Sequence, residues 1–400
     1  MVITDFLIVG GGIVGVTIAR ELKVRWPDAK VLLIEKESAL GEHASGRNSG
    51  VLHAGFYYSA DSLKARFCRQ GNLALTGFCE ENGLRINRCG KLVVARDPGE
   101  LPALDELLRR AQANQVPLQD IGTEEARAIE PRVKTCQRAL FSPTTASVDP
   151  GEVLGTLAAE ARAAGVGFRL GECYLKRSGR KVVTDRDTYE ARYVVNAAGL
   201  YADRLARDYG YSENYRILPF KGLYLYSLEP AGSVRTHVYP VPDLKYPFLG
   251  VHYTLAVDGR IKIGPTAIPA FWREQYQGLE RFSVEECLEV LSRQAGLFFR
   301  SGFDFKQLAV TELRKYSKAR LAREAGQLLS QVRPEQFAAW GRPGIRAQLL
   351  DIRAMSLEMD FVLEGDGESM HVLNAVSPAF TCSIPFARHV CGQIAARINA

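Results

Sequence analysis

Three glycines, Gly10, Gly12 and Gly15, stand in the spacing G-x-G-x-x-G, and Glu35 follows twenty residues beyond the last of them. These residue types can hold a pyrophosphate and a ribose. Gly10 permits a tight turn, Gly12 lets the backbone approach phosphate oxygens, and Gly15 lets a helix pack closely on a strand. Unpaired N–H groups at a helix start attract the phosphate charge, and Glu35 accepts hydrogen bonds from ribose hydroxyls. Such chemistry needs elements to aim it. Residues 6–9, Phe-Leu-Ile-Val, read as a buried strand; residues 13–24 continue with helical periodicity; residues 31–34 form a second apolar strand that ends at Glu35. Strand, helix, strand and acidic end agree on a dinucleotide site. A glycine-rich turn alone would carry none of that context.

The segment from Lys36 to residue 55 narrows the cofactor. It holds Arg47, Asn48, Ser49 and Gly50 and few core-forming side chains before Val51. Glycine and serine in such a loop expose N–H groups that can wrap an anion. An NAD site would lead on to another helix and strand. A long polar loop fits FAD, whose far end must reach a second domain. Lys36, Arg47, Asn48, Ser49 and Gly50 are therefore assigned to the cofactor. Residues 189–195 read as a strand running into Asn196-Ala197-Ala198-Gly199 and a helix from 201. Ala198 and Gly199 would let the backbone lie against the cofactor; a close helix–strand crossing needs the same small residues.

Other elements follow. A helix is expected over 62–82, with Leu63, Phe67, Leu73, Leu75 and Phe78 as its apolar residues. Asp149 should cap a helix with Pro150 at its first position. From 216 to 264 the texture becomes that of a sheet: strands over 216–227, 238–242, 248–256 and 260–264, with Asp258-Gly259 as a hairpin turn. Helices are expected near 284–299 and 317–329, strands at 360–363 and 370–375, and a closing helix over 383–398.

A chain of 400 residues can bury a large core and hold two domains. Its net charge of +6 suits an acidic substrate or an anionic membrane, but the basic residues are spread along the chain. The segment 314–323 is the exception, basic and partly amphipathic, and reads either as a lipid contact or as a solvated helix face. No basic run interleaved with aromatics points to nucleic acid. The eight cysteines show no C-x-x-C pair and no metal-ligand spacing. They read as reduced thiols of a cytosolic enzyme with no metal. The first strand begins within a few residues of Met1, which leaves no room for a signal peptide. No apolar stretch nears the ~20 residues that span a bilayer, so any membrane contact is expected to be peripheral, at the inner membrane.

Several motifs, taken together, resemble the L-2-hydroxyglutarate oxidase/dehydrogenase family within the D-amino-acid-oxidase-like flavoproteins. They are Asn48-Ser49-Gly50-Val51-Leu52-His53-Ala54-Gly55, Ser62-Leu63-Lys64-Ala65, Cys89-Gly90-Lys91, Pro219-Phe220-Lys221-Gly222, Tyr239-Pro240-Val241-Pro242-Asp243, Pro247-Phe248-Leu249-Gly250-Val251-His252, Gly264-Pro265, Gly344-Ile345-Arg346-Ala347-Gln348 and Asn374-Ala375-Val376-Ser377-Pro378-Ala379. Arg47, Leu223, Thr266 and Phe380-Thr381-Cys382 depart from the family pattern. The resemblance implies an α/β fold: a Rossmann-type FAD-binding domain, discontinuous over 1–88, 146–215 and 342–400, with an inserted substrate domain over 89–145 and 216–341 that carries a mostly antiparallel sheet. It implies oxidation of L-2-hydroxyglutarate to 2-oxoglutarate, with hydride passing from C2 to flavin N5, and reoxidation by oxygen or a membrane quinone. An oxidase of an amino acid or secondary amine is the rival enzyme; a catalytically silent FAD-binding sensor or scaffold is the rival of another class.

That chemistry asks for a base at the hydroxyl and a cation at the carboxylate. His53, directly after the cofactor loop, is the leading base; His252, on a strand of the inserted sheet, is the reserve. Arg346 has the planar fork that binds a carboxylate bidentately, and Gln348 would share its face on an extended strand. Lys221, Tyr239 and Tyr253 are weaker candidates for a second carboxylate. Gly344 joins the cofactor set. Ser377, Pro378 and Thr381 precede the last helix, whose N-terminus could aim its dipole at the N1–C2=O edge of a reduced flavin.

Overall fold

The computed structural model describes residues 1–243, 248–301 and 304–398; Pro247 of the motifs above lies outside them. The strand Val2–Val9 ends in four buried apolar residues. A run apolar on both faces suits the middle of a parallel sheet covered on both sides. Thr188–Asn196 pairs parallel on one flank and Val31–Glu35 on the other, with Ser369–Asn374 and Gly167–Leu170 beyond them. Tyr174–Ser178, Lys181–Thr184 and Val362–Gly365 add antiparallel strands, making eight.

The helix Ile13–Arg25 packs between Pro150–Ala163 and Ala379–Ile398, and Leu63–Glu81 packs on the last of these. Ile8, Val16, Leu33, Phe67, Leu157 and Phe386 meet in the core between helices and sheet, each burial contributing about 1.5–3 kcal/mol. Asp149 caps its helix as the sequence suggests, its carboxylate accepting from Gly151 and Glu152 N–H with Pro150 in the first turn. Two local readings need correction. Leu73 is 62% exposed, because the buried stripe of its helix runs through Gly71, Asn72, Leu75, Phe78 and Cys79. The last helix begins at Ala379, four residues before 383, because Thr381 and Cys382 are buried and pack that turn into the core.

The second sheet also has eight strands. In spatial order they are Phe337–Trp340, Leu225–Ser227, Ile261–Gly264, His252–Leu255, His237–Pro240, Lys91–Val94, Arg138–Ser142 and Gln119–Gly122. All neighbours are antiparallel except His237–Pro240 against Lys91–Val94. The turn at Asp258-Gly259 is present, with Gly259 at φ +81°.

A four-stranded sheet, Ile268–Pro269, Tyr215–Gly222, Gly344–Asp351 and Ser356–Leu357, links the two. The expected strand over 216–227 is therefore two strands in two sheets. The chain changes sheets after Gly222, where the Leu223 N–H donates to Thr266 Oγ1 at 3.0 Å instead of to a neighbouring strand.

Candidate active site

At the start of Ile13–Arg25 three glycines form a cradle that side chains would fill. Gly10 adopts φ +114°, and a Cβ there would lie 2.4 Å from the Ala197 carbonyl oxygen. A Cβ on Gly15 would lie 2.0 Å from the Gly10 carbonyl oxygen. Gly12 N-caps the helix without a side-chain partner, so the N–H groups of the first turn face outward. One of them, on Ile13, donates to Ser45 Oγ at 2.8 Å. Glu35 accepts from Gly11 N–H at 2.6 Å and from Glu37 N–H at 2.9 Å, which fixes its carboxylate beside the glycine turn.

From this cradle a cavity of about 770 Å³ runs through the molecule, large for a small-molecule site. Gly10, Gly12, Glu35 and Lys36 line one end; Ala198 and Gly199 line a side wall; Arg47, Asn48 and Ser49 line the middle. His53, Gly344 and Arg346 line it with Ser377, Pro378 and Thr381. A phosphate-sized cradle at one end and a histidine and arginine in the same long cavity fit an extended two-nucleotide cofactor. The clearance is backbone-tight: a Cβ on Gly344 would lie 2.6 Å from the Arg47 carbonyl oxygen.

His53 sits where the cofactor loop re-enters the core. Its N–H donates to Thr381 Oγ1, which in turn donates to the Val51 carbonyl, so the last helix and this strand share one hydroxyl. The imidazole Nδ1 is buried without a partner. Burial, with the charges of Lys91 and Arg346, pushes His53 down to about 3, so it is neutral at physiological pH and able to accept a proton. Arg346 faces Phe220 across the linking sheet, and its guanidinium lies 5.4 Å from the Phe248 ring centroid. Burial lowers its affinity for its proton while Tyr224 and Glu312 oppose the shift. Among the described residues no carboxylate forms an ion pair with it, so the fork is open to an anion from the cavity.

The family model for FAD dependent oxidoreductases matches residues 5–391 of this sequence. The chain belongs to that family. Its cofactor is FAD. L-2-hydroxyglutarate dehydrogenase of Escherichia coli K12 is 34% identical over 401 residues, covering 98% of this chain and 93% of that protein. The human mitochondrial L-2-hydroxyglutarate dehydrogenase is 36% identical over 421 residues, covering 99% and 89%. Among solved structures, L-α-glycerophosphate oxidase from Mycoplasma pneumoniae with FAD bound superposes with a TM-score of 0.78 at 22% identity, covering 99% of this chain and 95% of that one. Glycine oxidase from Geobacillus kaustophilus gives 0.72 at 21%, with the same coverage.

Not every candidate reaches the flavin cavity. Gly15 packs helix on strand, and Gly50, at φ +76°, turns the chain against the Val148 carbonyl; neither lines the cavity. Asn48 braces its own loop, donating to the Ser45 carbonyl and accepting from Gly50 N–H. Gln348 does share a strand face with Arg346, but its amide donates to the Glu358 carbonyl at 2.7 Å and it is buried away from the cavity. Tyr253 points into the apolar core of the second sheet beside Val238 and Phe337, because alternation sends it to the face opposite His252. Lys221 is buried opposite Ile345 with its proton affinity lowered by burial, and it does not line the cavity. His252 donates from Nδ1 to the Gly250 carbonyl at 2.7 Å and stacks on Tyr239 at 3.7 Å. Both lie behind the cavity wall, close enough to His53 for the two histidines to oppose each other's protonation.

In the basic segment 314–323, Arg314, Lys318 and Arg323 are exposed while Leu321 and Ala322 are core residues, the pattern of a solvated helix face; Lys315 is buried in ion pairs with Glu312 and Glu324.

Other residues were given no role by the sequence. Ser45, Tyr224 and Pro265, the last from the Gly264-Pro265 motif, line the cavity. Around its outer end Lys36 pairs with Glu274 at 2.6 Å, Arg281 grips Glu37, and His43 Nδ1 lies 2.7 Å from the Tyr276 hydroxyl. Glu37, His43 and Glu274 are close enough together to hold a cation, but Lys36 and Arg281 already neutralise both carboxylates.

Proposed function

We propose that this flavoenzyme oxidises L-2-hydroxyglutarate to 2-oxoglutarate. The observation that supports it best is the meeting of one neutral imidazole and one unpaired guanidinium in the wall of the flavin cavity. Arg346 binds the C1 carboxylate through two parallel N–H donors. His53 accepts the hydroxyl proton at an imidazole nitrogen as alkoxide character develops. The bound flavin supplies the hydride acceptor. Burial of His53 keeps the base unprotonated. The division into an FAD-binding part and a substrate part, with the boundaries given above, is part of this reading. It is supported by the sheets: strands of the parallel sheet come from 1–88, 146–215 and 342–400, and those of the second eight-stranded sheet from 89–145 and 216–341.

The test is anaerobic stopped-flow mixing with a panel of L- and D-hydroxy acids, glycine and sarcosine. Rapid bleaching of the flavin band by L-2-hydroxyglutarate is expected. Bleaching by the amines alone would replace this reading with an amine oxidase, and bleaching by nothing would leave a silent FAD protein.

For the acceptor we propose a membrane quinone, reached from the cytoplasmic face by peripheral contact. No helix among the described residues is long and apolar enough to cross a membrane. The helix Val284–Arg300 instead turns Val284, Leu288, Leu291 and Phe298 to solvent at helical spacing, with Phe299 80% exposed. Val310 and Leu313 extend this patch, and Lys306 lies beside Phe298. Co-sedimentation with anionic vesicles, weakened by a Phe298→Ser, Phe299→Ser double substitution, is expected; equal sedimentation of both proteins would leave oxygen as the acceptor.

A further inference from the structure

We propose that Lys91 is a positioning residue for the proton transfer assigned to His53: a buried cation, lodged in an aromatic cage behind the imidazole, that holds the imidazole in its neutral, proton-accepting form. The inference rests on the reading of His53 as the base.

Lys91 opens the strand Lys91–Val94 in the middle of the second sheet, paired with His237 on one side and Ser142 on the other. Its side chain is 0% exposed. The ammonium nitrogen lies 4.6 Å from the ring centroid of Phe56, 4.5 Å from that of Tyr57 and 4.8 Å from that of Tyr239. It has no hydrogen-bond partner. Buried lysines ordinarily sit against a carboxylate. Here three ring faces replace it, and such faces stabilise a cation without neutralising it. The field of the charge is therefore free to act on its neighbours. Tyr239 carries the cage outward by stacking on His252, and the Nδ1 of His53 has no hydrogen-bond partner, which leaves burial and the charges of Lys91 and Arg346 to set its state.

The titratable groups facing this cluster come from every surrounding element. The segment 53–57 supplies His53 and Tyr57, the strand His237–Pro240 supplies His237 and Tyr239, and the strand His252–Leu255 supplies His252. Leu63–Glu81 contributes the Cys68 thiol, Gly344–Asp351 contributes Arg346, and Lys262 faces His237. No carboxylate is among them. Lys91 opposes protonation of all three histidines. Burial pushes Lys91 itself down to about 7, with only Cys68 acting against the shift. Below that pH the charge adds to burial in opposing protonation of His53; above it the charge is gone and the imidazole becomes a stronger base. A lysine that merely filled space would do neither.

The test uses the FAD-loaded enzyme as wild type, Lys91→Met and Lys91→Arg. The chain has six histidines, so ring-labelled ¹³C NMR can follow each, with His53 assigned by its loss in His53→Gln. At pH 5 the imidazolium fraction of His53 is expected to rise about tenfold in Lys91→Met, a shift of about one pH unit, and to stay at the wild-type level in Lys91→Arg. The pH profile of flavin reduction should show an inflection near 7 in wild type that both variants lack. An unchanged His53 signal in Lys91→Met, or equal changes in both variants, overturns the proposal. If Lys91→Met does not retain flavin, Lys91→Gln takes its place under the same criteria. Should L-2-hydroxyglutarate fail to reduce the wild-type flavin, the functional reading fails while the NMR comparison still decides the coupling of Lys91 to His53.

Discussion

At the scale of single residues, the two groups proposed to meet the substrate are distinguished by what they lack. His53 Nδ1 has no partner, and no described carboxylate answers Arg346. His53→Ala should retain bound flavin yet slow its reduction by about 10²–10⁴-fold, the usual contribution of a positioned base. Near-normal reduction would take the base role away from His53. Arg346→Lys replaces a planar fork with a point charge. It should raise KM by about tenfold, equivalent to about 1.4 kcal/mol, while flavin content stays constant; an unchanged KM would remove the carboxylate from this residue. That both line one cavity agrees with the distinctive motifs in which they stand; their roles in the reaction are what these substitutions test. Gln348 and Tyr253 were misplaced for a common reason: alternation along a strand tells which face a side chain takes, not whether that face meets a cavity or a core. Lys91 stands in the motif Cys89-Gly90-Lys91, but a lysine at a strand's start reads as solvent-exposed until the sheet around it is known.

At the scale of elements, the opening strand, helix and second strand lie within a residue or two of where apolar patterning put them, except that the first strand starts earlier, at Val2. Local chemistry decides these elements: a glycine turn, a helical period and a short apolar run. The change of sheet after Gly222 was not legible, because both halves of 216–227 have the same texture and only the Thr266 hydroxyl marks the break. Nor was the segment 272–281, which ties the chain after Ile268–Pro269 to the helix Ala202–Arg207. Its anchor is Arg273, bidentate to Asp203 at 2.6 and 2.9 Å with both side chains fully buried. Removing one partner of such a pair leaves a charge stranded. Asp203→Ala should therefore destabilise the protein by about 3–5 kcal/mol, read from denaturant midpoints of FAD-saturated samples. A loss below about 1 kcal/mol, typical of an exposed pair, would show that this segment opens freely.

For the molecule as a whole, acid is the condition to which this architecture is exposed. His53, His237, His252 and His371 are all buried and all held below the ordinary histidine value, mainly by burial; His371 is pushed down to about 4 and His53 to about 3. The unfolded chain protonates them at about 6.5. As pH falls below that value the unfolded state binds more protons than the folded one, so stability declines. Each histidine contributes a slope of up to about 1.4 kcal/mol per pH unit until its folded value is reached. Denaturant midpoints should drop clearly between pH 7.5 and pH 5, and a flat profile would mean that these side chains are hydrated in solution. The α/β class and the insertion of an antiparallel sheet were legible at this scale, from the change of texture at 216 and the return of alternating elements after 360. The linking sheet was not, since its pairing of Tyr215–Gly222 with Gly344–Asp351 joins segments more than a hundred residues apart.

The same long-range pairing governs when the protein can first exist. The parallel sheet begun at Val2 is finished only by Ser369–Asn374, and Ile13–Arg25 remains uncovered on one side until Ala379–Ile398 arrives. A nascent chain therefore carries the glycine turn within its first few dozen residues but lacks the wall at Ala197, Ala198 and Gly199, and that at Ser377, Pro378 and Thr381, until those segments are made. The cavity that starts at this turn has its full lining only once residues 344–381 are in place.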